Sequence, residues 1–375
     1  MRTVGVEEEL LLVEAGTGRA LPVASEVIAR AEERGSGANA GEGVVGLLES
    51  ELQQQQVESK THPTIELSAV ESELHSLRRA ADDAAQEVGA RLAAIAVCPT
   101  PVVPVTTPSP RYREIAERFG PIATESLTCG LHVHVRVADA EEAVGVIDRI
   151  RVWLPVLLAL SANSPYVEGL DTGYGSYRSQ VQHRWPSSGP SELFGSARAY
   201  EETVASMLGT GVLMDRGMVY FDARTSADHP TVELRVADIC LSASEAVLVA
   251  AFARAMVETA ARRWADGEPA PAVPAAVIRL AQWQAARHGL TGDLLDPRTA
   301  RPAPAWEVLD GVVDELRPAL RETGDEERVT DGLARLREAG TGSERQRAEL
   351  ERTGSMERLM DFVVRETSAS GPAGT

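Results

Sequence analysis

Three consecutive carboxylates interrupt the strand-like segment with which the chain begins. Residues 2–13 read Arg-Thr-Val-Gly-Val-Glu-Glu-Glu-Leu-Leu-Leu-Val, and the β-prone apolar residues on both sides of the acidic run predict a strand. Alternation along a strand puts Glu7 and Glu9 on one face and Glu8 on the other. Because like charges on a packed sheet need compensation, a hard divalent cation such as Mg2+ fits this pattern. A surface edge strand with solvated glutamates explains it equally well.

The charge balance restricts the kinds of partner that the chain can bind. Its formal net charge is -19 over 375 residues, which argues against a nucleic-acid or anionic-membrane partner because no basic patch dominates. The sequence contains a single lysine, Lys60, and it does not lie in a glycine-rich context. A phosphate site in this chain should therefore use arginine and metal rather than a P-loop lysine.

The cysteines and the apolar runs bear on the cellular compartment. Three cysteines, far apart and without a CxxC pair, fit buried thiols in a reducing compartment better than disulfides or a zinc site. The predicted strand starts at once, which leaves no room for a signal peptide. No apolar run reaches the roughly 20 residues of a membrane span. These features predict a cytoplasmic protein.

Two later segments repeat the pattern of paired polar residues on one strand face. His132, His134 and Arg136 alternate with apolar residues, so all three face one way while the apolar set packs on the other side. Glu233 and Arg235 share a face in the same manner. A single strand histidine is usually structural, but three strands with this pairing favour a ligand or substrate site over chance.

A glutamine-rich segment between residues 49 and 61 carries a further acidic pair. Glu51 and Glu58 are seven residues apart, and an odd spacing puts them on opposite faces of a regular strand. Joint action at one site therefore requires a bulge or a loop between them. A charged loop or edge strand is the structural alternative.

Hydrophobic periodicity and turn residues predict the remaining elements. Helices are predicted over 25–34, 65–96, 111–120, 140–161, 191–208, 244–265, 273–288, 306–320, 326–339 and 343–365. Strands are predicted over 128–137, 218–223, 231–236 and part of 49–61, and a short one over 95–98. The glycine-rich residues 35–43 are predicted to form a loop, and the Gly- and Tyr-rich residues 168–178 a binding loop or an ordinary connection. We expect one catalytic domain, 1–375, with a β-rich core at 2–240, a helical part at 242–365 and a frayed tail at 366–375.

These strands together define a candidate site. Its members are Glu7, Glu9, Glu51, Glu58, His132 and Glu233, with Arg235, Arg178 and His134 nearby. Five carboxylates and one histidine suit two or more Mg2+ or Mn2+ ions, and the absence of thiolates argues against structural zinc. Clustered metals supported by arginine are typical of phosphoryl transfer, which depends on positioning and charge neutralisation.

Five motifs in this order resemble the type 2 glutamate–cysteine ligases, carboxylate–amine ligases related to glutamine synthetase. They are Gly5-Val-Glu-Glu-Glu9, Glu51 through Glu58-Ser-Lys-Thr61, Cys129-Gly-Leu-His-Val-His134, Leu160-Ser-Ala-Asn-Ser-Pro165 with Asp171-Thr-Gly-Tyr174 and Ser176-Tyr-Arg178, and Pro230-Thr-Val-Glu-Leu-Arg-Val-Ala-Asp238. The resemblance covers about residues 2 to 365. It implies an α+β fold in which an antiparallel sheet curls into a partial, glutamine-synthetase-like barrel flanked by helices, with nucleotide entering one end and the two substrates the other.

The resemblance also implies roles for individual residues. The positions that match the family's metal ligands are Glu7, Glu9, Glu51, Glu58, His132 and Glu233. Glu233 and Arg235 are the expected catalytic pair, and Arg235 looks like the arginine on the transferred phosphoryl group. Arg178, Tyr112 and His134 are candidates for substrate contacts.

The implied activity is an ATP-dependent ligation with two or three Mg2+ or Mn2+ ions in a homodimer. ATP phosphorylates the γ-carboxylate of glutamate, and the cysteine amine attacks the acyl phosphate, which must be protected from water. The alternatives are a ligase of the same family for another acid and amine, and a non-catalytic nucleotide-binding regulatory protein. Residues 219–226 depart from the tryptophan-containing form expected in many relatives, which favours altered substrate selectivity. Glu8 is expected to face away from the metals and to tolerate substitution.

Overall fold

The computed structural model describes residues 1–35 and 48–369, and its central element is an antiparallel sheet of seven strands built around the first one. The strands are β1 (Val4–Glu14), β2 (Leu48–Ser50), β3 (Gln56–Lys60), β4 (Ala90–Ala93), β5 (Gly130–Arg136), β6 (Tyr166–Val167), β7 (Leu170–Asp171), β8 (Ala223–Thr225), β9 (Thr231–Asp238), β10 (Asp293–Asp296) and β11 (Arg301–Pro304). The order in the main sheet is β2-β3-β1-β5-β9-β8, and β4 pairs with the end of β1. The predicted α+β class is confirmed.

The helices make up most of the chain after β9. They are α1 (Ala24–Gly35), α2 (Leu67–Glu87), α3 (Pro110–Phe119), α4 (Pro121–Thr124), α5 (Ala140–Ile150), α6 (Leu154–Leu160), α7 (Arg178–Gln182), α8 (Ala197–Gly209), α9 (Ala243–Ala265), α10 (Ala275–His288), α11 (Ala305–Thr323), α12 (Glu326–Ala339), α13 (Gly342–Thr353) and α14 (Met356–Ser368). A capping box of Ser242 and Glu245 starts α9, which satisfies backbone donors at its first turn. This helix is buried along most of its length and contacts α2, α5, α11 and α12.

The two faces of β1 have opposite chemistry, as the alternation predicted. Val4, Val6 and Leu10 are fully buried and belong to the hydrophobic core, whereas Glu7 and Glu9 between them are only partly buried. The apolar side packs on the helices, so burial of this side fixes the register: a slip by one residue would put the carboxylates in the core. The polar face is therefore held in place by the packing behind it.

Three of the predicted helices are wrong in extent, because apolar periodicity continues across their breaks. The helix predicted over 65–96 ends at Glu87, since Gly89 has a φ of +77°, and Leu92 lies in β4 instead. The helix predicted over 140–161 is two helices, with Pro155 in the first turn of the second one. The helix predicted over 343–365 is divided at Gly354, which is left-handed.

Smaller differences concern the connections. Residues 191–196 precede α8 rather than form its start, and the strand predicted over 218–223 is instead a 3-10 turn, Arg216–Met218, followed by β8. The hairpin of β10 and β11 was not predicted. Residues 36–47 and 370–375, which include most of the predicted glycine-rich loop and of the predicted frayed tail, lie outside the described residues. The last helix continues to Ser368.

None of the helices in residues 1–35 and 48–369 is long and apolar enough to cross a membrane.

Candidate functional site

A cavity of about 490 Å3 opens on the polar face of the sheet. The sequence-predicted residues that line it are Glu7, Glu9, Glu51, Glu58, His132, His134, Arg178, Glu233 and Arg235. Strands β1, β3, β5 and β9 supply most of these side chains, and helix α7 supplies Arg178. The sheet therefore brings together residues as distant in the chain as Glu7 and Arg235, and Tyr112 is the one candidate that does not line this cavity.

The carboxylates form two groups whose ligand atoms lie close enough to share a cation. Glu7, His134 and Glu233 offer ligand atoms that all lie within 4.8 Å of one another. Sheet pairing explains this group. His134 stands opposite Glu233 of β9 and opposite Gly5 of β1, and Glu7 lies two residues after Gly5 on the same face of β1. The predicted ligand His132 is not part of this group, and His134, which was predicted to contact substrate, is.

The second group consists of Glu9, Glu51 and Glu58, again within 4.8 Å of one another. Glu9 and Glu58 are direct partners in the β1–β3 ladder. Glu51 lies in the connection between β2 and β3, so the loop that its odd spacing from Glu58 required is present. The backbone N–H of Leu52 donates to Glu51 Oε2 at 3.2 Å.

His132 stands between the two groups. Its Nδ1 lies 3.4 Å from Glu7 Oε2, and its Nε2 lies 3.9 Å from Glu9 Oε1. The imidazole is buried, with 3% of the residue exposed. A side chain in this position links the ligand sets and keeps Glu7 and Glu9 apart, as two separate ions would require.

A β-bulge in the ladder between β5 and β9 occurs at His132. Leu131 pairs with Ala237 and Val133 pairs with Leu234, so two residues of β9, Arg235 and Val236, stand opposite one residue of β5. Bulges re-aim side chains and are frequent next to active sites. Here Arg235 is one of the two residues of the bulge, and its side chain lines the cavity.

The charges of the first group favour ionised carboxylates. Burial alone would raise the pKa of Glu7, but hydrogen bonds and charges of His132 and His134 outweigh it and lower that pKa. Burial likewise opposes the ionised form of Glu233, and the guanidinium groups of Arg235 and Arg224 reverse the effect and lower its pKa. Both carboxylates are thus in the ligand-competent state at neutral pH.

The second group carries uncompensated negative charge. Burial, together with the neighbouring carboxylates of Glu58 and Glu9, raises the pKa of Glu51 well above its ordinary value. The ammonium of Lys60 lies 3.1 Å from Glu58 Oε1 and 2.9 Å from Glu49 Oε2, which offsets part of the charge from one side. Oxygen donors packed against like charges fit a hard cation such as Mg2+.

Glu233 is held between two arginines. Arg224 donates from Nε to Glu233 Oε2 at 2.6 Å and from Nη2 to Glu233 Oε1 at 3.2 Å. Arg235 contacts the same Oε1 through Nη1. Arg224 also donates to the carbonyls of Gly217 and Val219, so its position is fixed by the preceding loop.

Sequence reasoning missed Arg224, although a signal for it exists. It alternates with Asp222 across the start of β8 in the same i, i+2 polar pairing that identified the other strands. The predicted strand boundary, which ended at 223, left Arg224 outside the periodic segment.

Arg178, the first residue of α7, lines the cavity, with 4% of the residue exposed. Its Nη1 and Nη2 reach the carbonyls of Val236 and Arg235 only at 3.4 Å, and its Nε has no hydrogen-bond partner among residues 1–35 and 48–369. A Cβ on Gly130 would lie 2.3 Å from Arg178 Nη2, so a larger residue there would displace the end of the arginine side chain. Several of the donors of Arg178 are therefore free for a ligand carboxylate.

Tyr112 lies apart from these residues on α3. Its hydroxyl donates to the carbonyl of Ser50 at 3.2 Å, and its ring packs against the core. Burial and the nearby carboxylate of Glu51 raise the pKa of Tyr112 to about 12. The phenol supports the segment that leads to Glu51. Tyr112 does not line the cavity, and its substrate contact stays a prediction.

The comparison with protein families gives a match over nearly the whole chain. The model described as glutamate–cysteine ligase family 2 matches residues 3–362. A Frankia alni protein provisionally named glutamate–cysteine ligase 2-2 is 47% identical over 373 residues, covering 98% of this chain and 97% of that one. A Streptomyces coelicolor protein provisionally named glutamate–cysteine ligase 2 is 47% identical over 370 residues, covering 99% and 100%.

Solved structures share the fold at low sequence identity. The glutamate–cysteine ligase of Francisella tularensis in complex with AMP superposes with a TM-score of 0.68 at 13% identity, covering 99% of this chain and 90% of that one. A bifunctional glutathione synthetase from Pasteurella multocida gives a TM-score of 0.69 at 17% identity, covering 98% and 52%. These structures therefore share the fold of this chain, an antiparallel sheet with flanking helices.

Proposed function

Because the chain belongs to glutamate–cysteine ligase family 2, we propose that it joins glutamate to cysteine with ATP, giving γ-glutamylcysteine by way of γ-glutamyl phosphate. Family membership makes the chain an ATP-dependent ligase of the glutamate–cysteine ligase type. The identity of the acid and of the amine, the intermediate and the residue roles are parts of the proposal.

One observation carries the proposal. Two ligand groups, Glu7 with His134 and Glu233, and Glu9 with Glu51 and Glu58, lie in one cavity with His132 between them. The raised pKa of Glu51 indicates that its group holds more negative charge than the surrounding protein neutralises. Carboxylate and imidazole donors fit Mg2+ or Mn2+. Bound there, such ions would neutralise charge on the phosphates of ATP.

The chain's own residues supply positioning and positive charge for both steps. In the first, an oxygen of the substrate γ-carboxylate attacks the γ-phosphorus of ATP, and ADP leaves. In our proposal Arg235, which Glu233 orients, stabilises the negative charge of the transferred phosphoryl group. In the second, the amine nitrogen attacks the acyl carbon, loses a proton, and phosphate leaves. The acyl phosphate must be protected from water between the two steps, since water would otherwise hydrolyse it.

The proposal is tested by measuring ADP release with each substrate present or omitted. The purified protein is incubated with ATP, Mg2+, L-glutamate and L-cysteine, and the product mass is measured in the same samples. We expect ADP and γ-glutamylcysteine to form in equal amounts, and expect little ADP when either amino acid is missing.

Two other outcomes identify the alternatives. ADP release with a different acid and amine would retain the ligase and overturn its substrates, which makes a screen of acids and amines the natural extension. Nucleotide binding without ADP release from any acid–amine pair would contradict catalysis and favour a regulatory binding protein. A homodimer and a cytoplasmic location stay predictions, which light scattering and cell fractionation would test.

A further inference from the structure

A buried carboxylate–amide pair lies in the cavity wall apart from the two ligand groups. Asp222 precedes β8, and Gln282 lies on α10; both line the cavity, with 8% and 1% of each residue exposed. Gln282 Nε2 donates to Asp222 Oδ2 at 2.5 Å. Neither residue belongs to the groups that could hold a metal ion in the described part of the chain.

The backbone around Asp222 is fixed from two sides. Its carbonyl accepts from the N–H of Arg235 at 2.8 Å, and its N–H donates to the carbonyl of Gly189 at 3.2 Å. Asp222 is therefore coupled through the backbone to the strand that carries the expected phosphoryl-binding arginine. A side chain held in this way has a defined position relative to the reacting end of the cavity.

The amide orientation leaves one buried acceptor without a donor. Because the carboxylate of Asp222 can only accept, the amide must turn its NH2 group toward it, which leaves Gln282 Oε1 pointing away. That oxygen has no hydrogen-bond partner in the described part of the protein. A buried acceptor without a donor costs stability, so a ligand that brings an N–H group here would satisfy it.

The electrostatic state of Asp222 indicates which ligand fits. Burial raises the pKa of Asp222 to about 6, although Gln282 and the charges of Arg279 and Arg178 act in the opposite direction. The negative charge is thus incompletely compensated. A divalent metal would need about six oxygen ligands, and this pair supplies few; an ammonium group needs only acceptors.

From this geometry we propose that Asp222 and Gln282 form the subsite for the α-ammonium group of an amino-acid substrate. The free donors of Arg178, whose charge acts on Asp222, are available to the carboxylate of the same amino acid. The inference rests on the proposed function in that it assigns this subsite to one of the two substrates. The shared chemistry is a primary ammonium beside a carboxylate, whether it comes from the acid or from the attacking amine.

The test compares amino acids with analogues that lack only the amino group. Binding is measured by calorimetry with Mg2+ and a non-hydrolysable ATP analogue present. Standard L-amino acids that bind are paired with their desamino counterparts, beginning with L-glutamate against glutarate and L-cysteine against 3-mercaptopropionate. Because a charged hydrogen bond is being removed, we expect the wild type to prefer at least one amino form by about ten-fold or more.

Two variants remove the subsite, and one controls for loss of a buried amide. Asp222→Asn and Gln282→Met should reduce that preference to about three-fold or less. Gln346→Met is the matched control, since Gln346 is also fully buried with an unpartnered Oε1 but lies outside the cavity, where its NH2 group donates to Asn163. It should keep the wild-type preference.

The outcomes show whether the acid or the amine substrate occupies the subsite, and they distinguish failure of the subsite proposal from failure of the proposed function. A lost preference for glutamate over glutarate places the acid in the subsite, and a lost preference for cysteine over its analogue places the amine there. Equal binding of amino and desamino forms by the wild type, or a full preference in both subsite variants, overturns the inference. Absence of ADP release with the preference intact would overturn the proposed substrates and leave the subsite standing.

Discussion

Glu8 and Arg78 form a bidentate ion pair inside the protein, on the side of β1 opposite to Glu7 and Glu9. Arg78 Nε donates to Glu8 Oε2 at 2.8 Å and Nη2 to Oε1 at 2.7 Å, and the side chains are 1% and 0% exposed. Arg78 also donates to the carbonyls of Cys240 and Leu241. Glu8 does face away from the two ligand groups. The buried pair argues against the expectation that Glu8 tolerates substitution, because its loss would leave a buried guanidinium without its counter-charge.

The first prediction is that Glu8→Gln strongly destabilises the fold. Breaking a buried ion pair by removing one partner typically costs about 3–5 kcal/mol, and urea unfolding followed by circular dichroism measures the loss. Glu8→Leu combined with Arg78→Met should recover part of it, since both charges are gone. A loss under about 1 kcal/mol, as for exposed pairs, would contradict this role for the pair.

The second prediction is that Glu9→Gln abolishes turnover with little loss of stability. The N–H of Gly130 donates to Glu9 Oε2 at 2.6 Å, and an amide oxygen can accept the same hydrogen bond. The substitution therefore preserves the local geometry and removes one charge from the group with Glu51 and Glu58. Mn2+ affinity, measured by titration, should fall together with ADP release.

Glu14→Gln is the control for that experiment. Glu14 ends the same strand and hydrogen-bonds to Thr17 and Arg19 outside the cavity, so we expect it to keep wild-type metal binding and turnover. Full activity in Glu9→Gln would contradict the metal assignment.

Much of the site follows from the sequence because strand alternation is a local property. The period of two placed Glu7, Glu9, His132 and Glu233 on polar faces, and the odd spacing of Glu51 from Glu58 required the loop that is present. These statements need only the covalent geometry of an extended chain.

What could not be predicted depends on contacts between distant segments. His134 joins the group with Glu7 and Glu233 because it stands opposite Glu233 in the ladder, and this register is a property of the paired strands, not of either one alone. Gln282 comes from a helix in which its position reads as an ordinary buried residue. The sequence did not predict the end of α2, because Leu92 continues the helical spacing of apolar residues although it lies in β4 and pairs with Leu12 of β1.

The third prediction is that Gly130→Ala impairs substrate binding through Arg178. The added Cβ would lie 2.3 Å from Arg178 Nη2, so the guanidinium must shift from its present position. We expect the Michaelis constant for the substrate whose carboxylate contacts Arg178 to rise by about ten-fold, the equivalent of one charged hydrogen bond. Steady-state ADP release at varied glutamate and varied cysteine measures it.

Gly209→Ala, at the end of α8, has no atom of the described residues within 4 Å of the added Cβ and should leave both Michaelis constants unchanged. Unchanged constants in Gly130→Ala as well would contradict a substrate-binding role of Arg178 that depends on this close approach.

The fourth prediction concerns the pH dependence of stability. The pKa of Asp222, raised by burial to about 6, is about 3.9 in an unfolded chain, so the folded state holds this proton more tightly. Protonation of Asp222 therefore stabilises the folded state fully below pH 4, and this stabilisation is lost as the pH rises through 6. The side chain of Asp222→Asn does not titrate. Between pH 4 and pH 7.5 the free energy of unfolding of the ligand-free variant should therefore rise by about 2–3 kcal/mol relative to that of the wild type.

Denaturant unfolding at a series of pH values measures this gain, with the exposed Asp331→Asn on α12 as control for the substitution. Parallel profiles of the wild type and Asp222→Asn would contradict it. If the variant is more stable at neutral pH and binds the amino acid more weakly, the carboxylate lowers stability in the free protein and contributes to ligand binding. Such a trade-off is expected of a functional group and not of a structural one.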